Sequence, residues 1–210
     1  MNEISRRWYS SESCSPGQDI VINNAAVYDH SSNDKVWRTN LLAPCYITEK
    51  LVRSFLNYLL HDMRALRIVQ VGSRLESRSN MNRDTLGGII SSTVVSYADS
   101  KRGLLMHSAY MSKKYKHEKS LSFCVVTPGM VNTNLGKSSV WRLVWWLSYP
   151  LRFICTRHPI EGAVSVLWAA FGCPTETGVY LGDGVVLERI VDTRDSLVGQ
   201  VLSDSIMQQF

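Results

Sequence analysis

No glycine-rich G-x-x-x-G-x-G run occurs in the first eighteen residues, MNEISRRWYSSESCSPGQ, and their polar, charged character leaves no secretory signal to be expected. Cysteines are few and scattered, at positions 14, 45, 124, 155 and 173, and none has the spacing of a zinc site. An odd, dispersed set argues against a disulfide framework and for free, mostly buried thiols in a reducing compartment; no metal is expected. Nor does any tract concentrate the formal charge of +5. Its densest run, Lys113, Lys114, Lys116 and Lys119, reads as a solvated helix end that complements the helix dipole, so no nucleic-acid partner is expected. Internal repeats are missing too. What remains, 210 residues with 45% apolar content, is one globular domain of ordinary composition.

Of the residues present, Tyr97 and Lys101 carry the most chemistry. They stand four positions apart in Tyr97-Ala98-Asp99-Ser100-Lys101, a segment that reads as helix, and so share one face. A free phenol titrates near pH ~10, too high for easy proton exchange near neutrality. A lysine cation beside it favours the phenolate and is expected to lower that value, making a general acid/base for an alcohol or carbonyl oxygen. The plainer reading of the same pair is a surface i,i+4 contact.

Its neighbours along the chain add weight. Asp19 to Ala26 (DIVINNAA) reads as a short strand ending in asparagines and small residues, and Asn40 stands just before an amphipathic run over Leu41–Leu60. Arg67 to Ser73 (RIVQVGS) reads as a second strand, residues 74–92 as a polar loop, and Leu121–Val126 as a third strand leading into TPGMVNT. His158 to Ala163 opens a further helix with proline in its first turn. Thr177–Asp183 reads as the last strand, and Asp192 to Asp195 as the start of a final helix carrying Leu197, Val201, Leu202 and Ile206. Alternating strands and helices predict α/β architecture with a parallel sheet.

In this order the motifs resemble the short-chain dehydrogenase/reductase family, over about residues 19–190. NNAA is similar to its NNAG motif, Asn40, Ser73, Tyr97 and Lys101 match its catalytic tetrad, and TPGMVNT is similar to its PG-x-V-x-T cofactor segment. The resemblance implies a doubly wound, Rossmann-like parallel sheet and hydride transfer with NADP or NAD, NADP favoured. It implies that Tyr97 moves the proton, that Lys101 also binds the nicotinamide ribose, and that Ser73 holds the substrate oxygen. Asn40 would hold a water linking Lys101 to solvent, its plain rival being a helix N-cap. Asn23, Asn24 and Ala25 would pack beside the adenosine, and Pro128, Gly129, Val131 and Thr133 would line the nicotinamide side. Ala26, where the family has glycine, is a departure.

A second departure is larger. The family opens with a strand, a glycine-rich turn and a helix N-terminus that holds the pyrophosphate, and nothing of that kind precedes Asp19. Residues 1–18 are therefore expected to be a lead outside the family, and 19–210 the catalytic part of a domain truncated in its N-terminal half. The Asp19 strand is then expected at a bare sheet edge, which invites poor stability or aggregation.

The long gap between Ser73 and Tyr97, and TRHPIEGA, resemble the retinol-dehydrogenase-like subgroup. Residues 140–154 (VWRLVWWLSYPLRFI) fall where the family places its substrate lid; two arginines and a proline leave them short of the roughly twenty apolar residues of a bilayer span. They suit a lid over an apolar pocket or an interfacial segment on an intracellular membrane, facing the cytoplasm. The expected substrate is an apolar alcohol or carbonyl compound, retinoid-, steroid- or aldehyde-like, with homo-oligomerisation as a further expectation. Two rivals stand beside this reading. One is an inactive remnant that acts by pairing with a full-length subunit. The other is a sugar epimerase of the extended family, for whose substrate domain the chain has little room.

Overall fold

Alternation along two buried strands decides the layers. In β2 (Ala65–Val71) and β3 (Leu121–Thr127), Ile68 and Phe123 join one apolar cluster, while Val69, Val71, Cys124 and Val126 join another on the opposite face. Strands buried on both faces belong to parallel sheets covered by helices on each side. The computed structural model describes residues 17–28, 33–58, 64–82, 84–85, 96–131, 156–172, 176–190 and 195–208.

Five strands run in the order β1-β2-β3-β4-β5 among the described residues. β1 (Gln18–Asn23), β2, β3 and β4 (Val179–Gly182) are parallel, with Asn23 opposite Gln70, Val71 opposite Val126 and Thr127 opposite Gly182. This is the doubly wound, Rossmann-like α/β sheet that the sequence predicts. Among the described residues β1 is the outermost strand on this side, with Ile22 37% exposed. The other edge differs. The expected last strand is only the first arm of a hairpin, because Asp183 and Gly184 both adopt positive φ (55° and 75°) and turn the chain into antiparallel β5 (Val185–Arg189).

Helices are longer and less regular than the periodicity suggests. Where a helix over 41–60 is expected, helix begins at α1 (Asn33–Trp37), widens into a π-helical stretch over Arg38–Leu42, and continues as α2 (Ala43–Tyr58). Residues 74–92 are not all loop, since Arg74–Arg78 form a 3₁₀ helix capped by the Ser73 hydroxyl. α3 (Tyr97–Lys114) opens on a capping box made by Ser96 and Asp99. α4 (Pro159–Leu167), capped by His158, runs into a second π-helical stretch, Trp168–Gly172. α5 (Asp195–Met207) is the final helix.

α2 and α3 cover one face of the sheet, with Val52 and Met111 packed on Ile68 and Phe123, and α5 packs on these helices, with Leu41, Leu104, Met106 and Leu202 filling the space between them. Trp168, Ala169 and Ala170 cover the other face, against Val69, Val71, Cys124 and Leu181. A Cβ at Gly103 would lie 2.8 Å from the Leu41 side chain, so glycine is what lets α3 close down on the π-helical stretch. That contact brings Tyr97 and Lys101 near Asn40. Of the lysine run, Lys113 reaches Ser196 Oγ at 3.4 Å, and Lys114 lies 4.0 Å from buried Glu49 and over the ring of Tyr110. Residues 140–154 lie outside the described residues, of which no helix is long and apolar enough to cross a membrane.

Candidate active site

Parallel strands deliver their last residues to one side of the sheet, where a following loop or helix N-terminus can meet a ligand. Here Asn23 ends β1, Gly72 and Ser73 follow β2, and Pro128 and Gly129 follow β3. α3 begins with Tyr97 beside them. Among the described residues, Asn40, Ser73, Tyr97 and Lys101 are brought together; Thr133 lies outside the described residues.

Tyr97 is half-buried, and the Ser73 hydroxyl stands near enough to its phenol to favour the ionised form. Ser73 Oγ also accepts the Leu75 amide at 3.2 Å, so the strand-ending turn and the approach to the phenol are one arrangement. Lys101 is buried. Its Nζ donates to the Val71 carbonyl at 2.7 Å and lies 5.7 Å from the centre of the Tyr97 ring. The sequence expectation that lysine lowers the phenol's pKa is not met in this geometry. Burial raises the Tyr97 pKa, the Ser73 hydroxyl lowers it in part, and the nearby Tyr28 phenol raises it again. With Nζ held by Val71 and set against the ring, the ammonium does not offset the burial of the hydroxyl. Tyr97 is therefore a protonated phenol at neutral pH.

Burial also pushes the Lys101 ammonium down, to about 8 from an ordinary 10.5. The sign follows from linkage: a cation buried below its unfolded pKa costs stability in full below pH 8, and the cost is relieved between pH 8 and 10.5. Lys101→Met should accordingly stabilise the chain at pH 7 by about 1–2 kcal/mol, the relief from desolvation being offset in part by the orphaned Val71 carbonyl. Urea unfolding at pH 7 and pH 10 checks it: the gain should shrink at the higher pH. A loss of stability at pH 7 would show that the Val71 bond outweighs burial.

Asn40 is buried inside the π-helical stretch, with helix on both sides, so it is not the N-cap that its position before Leu41 suggests. Its side chain is a clamp. Oδ1 accepts the Val27 amide at 2.8 Å, and Nδ2 donates to the Val27 carbonyl at 2.8 Å and to Ser100 Oγ at 3.2 Å. Ser100 Oγ in turn donates to the Tyr97 carbonyl at 2.7 Å. A π-helical bulge at such a node is a common device at functional sites.

Asn23 Nδ2 donates to Thr48 Oγ1 at 3.2 Å, and Gln70 Nε2 reaches the same oxygen at 3.1 Å, so α2 joins the ends of β1 and β2. Asn24 and Ala25 are exposed beyond Asn23. Pro128 and Gly129 are partly buried, and Gly129 holds φ +78°, which a side chain would strain. Val131 bridges to Arg157. Sequence reading missed the bracket formed where Arg157 and Arg74 (3.0 Å) both pair with Asp183, which ties the segments after β2, β3 and β4 together. It missed Tyr28 as well, whose ring meets Tyr97 with centroids 5.0 Å apart at 66°. Asp183-Gly184 was a readable hairpin signal; nothing in the sequence marks Tyr28.

The residues fit the nicotinamide end of a dinucleotide. A buried ammonium with donors to spare, and with no carboxylate partner among the described residues, suits a ligand rich in hydroxyls. Among the described residues no glycine-rich turn leads into a helix beside β1, so a pyrophosphate cradle is not part of the described site.

No family model matches the chain. It is 27% identical over 177 residues to a 3-oxoacyl-acyl-carrier-protein reductase FabG from Buchnera aphidicola subsp. Schizaphis graminum, covering 80% of this chain. The match spans 63% of that protein, less than two thirds of its length. In structure the chain is similar to a gluconate 5-dehydrogenase from Burkholderia cenocepacia J2315 in complex with NADP and tartrate, with a TM-score of 0.55 at 16% identity, covering 86% of this chain and 68% of that one. A short-chain dehydrogenase/reductase from Serratia marcescens BCRC 10948 gives a TM-score of 0.50 at 16% identity, covering 84% and 66%. These structures share the fold, and the sequence relative supports the family that the motifs resemble.

Proposed function

We propose that this chain is a short-chain dehydrogenase/reductase that interconverts an apolar alcohol and its carbonyl compound with NADP(H), Tyr97 acting as general acid/base. One observation carries the reading: Ser73 from the turn after β2 and Tyr97 and Lys101 from the first turns of α3 converge at the carboxyl ends of β2 and β3, with the Lys101 ammonium held on the Val71 carbonyl 5.7 Å from the centre of the Tyr97 ring. Similarity to the FabG supports the family, and the NADP held by the gluconate 5-dehydrogenase neighbour supports NADP over NAD.

A bound nicotinamide supplies the hydride in reduction, or takes it in oxidation. The chain supplies the rest. As the carbonyl carbon gains hydride its oxygen gains negative charge; the Ser73 hydroxyl donates a hydrogen bond to that oxygen, and Tyr97 gives it the proton that completes the alcohol. Lys101 remains charged at neutral pH and uses its spare N–H groups to hold the ribose beside the phenol. Asn40 fixes the first turn of α3 through Ser100, and its place in a water relay to Lys101 remains part of this proposal. Asn23, Asn24 and Ala25 would face the adenosine side, and Pro128, Gly129, Val131 and Thr133 the nicotinamide.

The retinol-dehydrogenase-like subgroup and a retinoid-, steroid- or aldehyde-like substrate rest on TRHPIEGA and the aromatic segment 140–154, for which contact with a membrane surface is the companion proposal. The rival is a remnant that acts by pairing with a full-length subunit, and the position of β1, with no strand beyond it among the described residues, favours it. A thermal melt of the 210-residue chain with excess NADPH or NADH separates the two. A ligand selective for the native state adds about 2.7 kcal/mol at a hundredfold excess over its Kd. The enzyme reading expects one cooperative transition, raised more by NADPH than by NADH. A transition indifferent to both cofactors would leave the remnant.

A further inference from the structure

Asn40 holds Val27 by both its amide and its carbonyl, in the manner of a two-bond strand pairing made by one side chain. The next residue, Tyr28, therefore leaves a fixed point. Its ring meets the Tyr97 ring edge-on, centroids 5.0 Å apart and planes at 66°, the geometry that aromatic quadrupoles favour. The same Asn40 amide bonds Ser100, which bonds the Tyr97 carbonyl. One buried carboxamide thus sets both partners of the aromatic pair: Tyr28 through the backbone before it, Tyr97 through the helical turn that bears it.

We propose that Tyr28 is a positioning residue for Tyr97: anchored by the Asn40 clamp on Val27, its ring shields one side of the phenol and fixes the angle at which the hydroxyl meets Ser73 and the cleft. This rests on the reading of Tyr97 as the acid/base. Three groups face the phenol, each from a different part of the fold. Tyr28 comes from the segment after β1, Ser73 from the turn after β2, and the Lys101 ammonium, 5.7 Å from the ring centre, from the next turn of α3. Ser73 favours the phenolate, while Tyr28 works against it, by excluding water and by bringing a second phenol that repels the ionised form.

The test follows Tyr97 directly and does not need turnover. The chain is labelled with tyrosine carrying 13C at Cζ, the Tyr97 resonance is assigned by its loss in Tyr97→Phe, and it is titrated in wild type, Tyr28→Ala and Tyr28→Phe. Tyr28→Ala admits water and should lower the Tyr97 midpoint by about half a pH unit or more. Tyr28→Phe keeps the ring; the midpoint should fall by less, and the neutral-form chemical shift should stay at its wild-type value. Asn40→Ala, which releases the anchor, should move the resonance in the same direction as Tyr28→Ala. A Tyr97 midpoint that stays put or rises in a folded Tyr28→Ala chain overturns the proposal. Should Tyr28→Ala not fold, Tyr28→Phe decides: a neutral-form shift displaced as far as the one caused by Asn40→Ala overturns it. Cofactor melts on the same samples report separately on the enzyme reading, since they fail or succeed whatever the titration of Tyr97 does.

Discussion

Tyr97→Phe is expected to lower kcat/KM for carbonyl reduction by about 10²–10⁴-fold, the usual worth of a positioned proton donor. The substitution keeps the ring and its contact with Tyr28, and removes only the hydroxyl beside Ser73. Stability and the cofactor-induced rise in melting temperature should therefore survive, so that the loss falls on the chemical step. The pH dependence follows from the same environment. Burial holds the phenol above its ordinary value of 10, so Tyr97 keeps its proton throughout the neutral range and reduction should run level there. An alkaline limb beginning near pH 8 would belong to Lys101, whose ammonium loses its charge at about that value. In Tyr97→Phe the residual rate should keep the Lys101 limb and lose any dependence on the phenol. Activity within threefold of wild type, on a substrate that wild type turns over, would remove Tyr97 from the role of acid.

Glu49→Ala is expected to destabilise the fold by about 3–5 kcal/mol, the cost of breaking a buried charged contact and leaving its partners behind. Glu49 is buried where α2, α3 and α5 meet. Oε1 accepts a short hydrogen bond from Ser203 of α5 and lies 3.6 Å from His107 Nε2 of α3, too long for a good hydrogen bond; Lys114 Nζ stands 4.0 Å from Oε2. Burial alone would raise the carboxyl pKa. The His107 imidazole, the Ser203 hydroxyl and the Lys114 ammonium outweigh it and bring the value down to about 2. A carboxylate depressed from 4.5 to about 2 stabilises the folded state fully above pH 4.5, and that contribution drains away as the pH falls towards 2. Wild type should thus lose stability steeply over that window, and Glu49→Ala should lose less of it. Glu49→Gln keeps an acceptor for Ser203 while removing the charge, and should fall between the two. Urea midpoints at pH 7 and pH 3.5 measure all three; an alanine variant as stable as wild type at pH 7 would show that the contact is not worth its desolvation.

Neither prediction draws equally on sequence and structure. Tyr97 and Lys101 were legible because helical spacing is a local rule, and Ser73 because a glycine and a serine close a strand. The parallel sheet followed from the alternation of strand and helix patterns along the chain. The hairpin β4–β5 could have been read, since Asp183-Gly184 is a strong local turn signal. Other features had no local trace. That Asn40 lies within a helix, clamping Val27 and Ser100, depends on α3 settling against the π-helical stretch at Gly103. The direction of the Tyr97 pKa was read wrongly from spacing, because spacing gives proximity to Lys101 and says nothing of burial or of the Val71 carbonyl that takes the ammonium. Local chemistry chose the residues; long-range packing chose their solvent and their partners, and those set the charge each one carries.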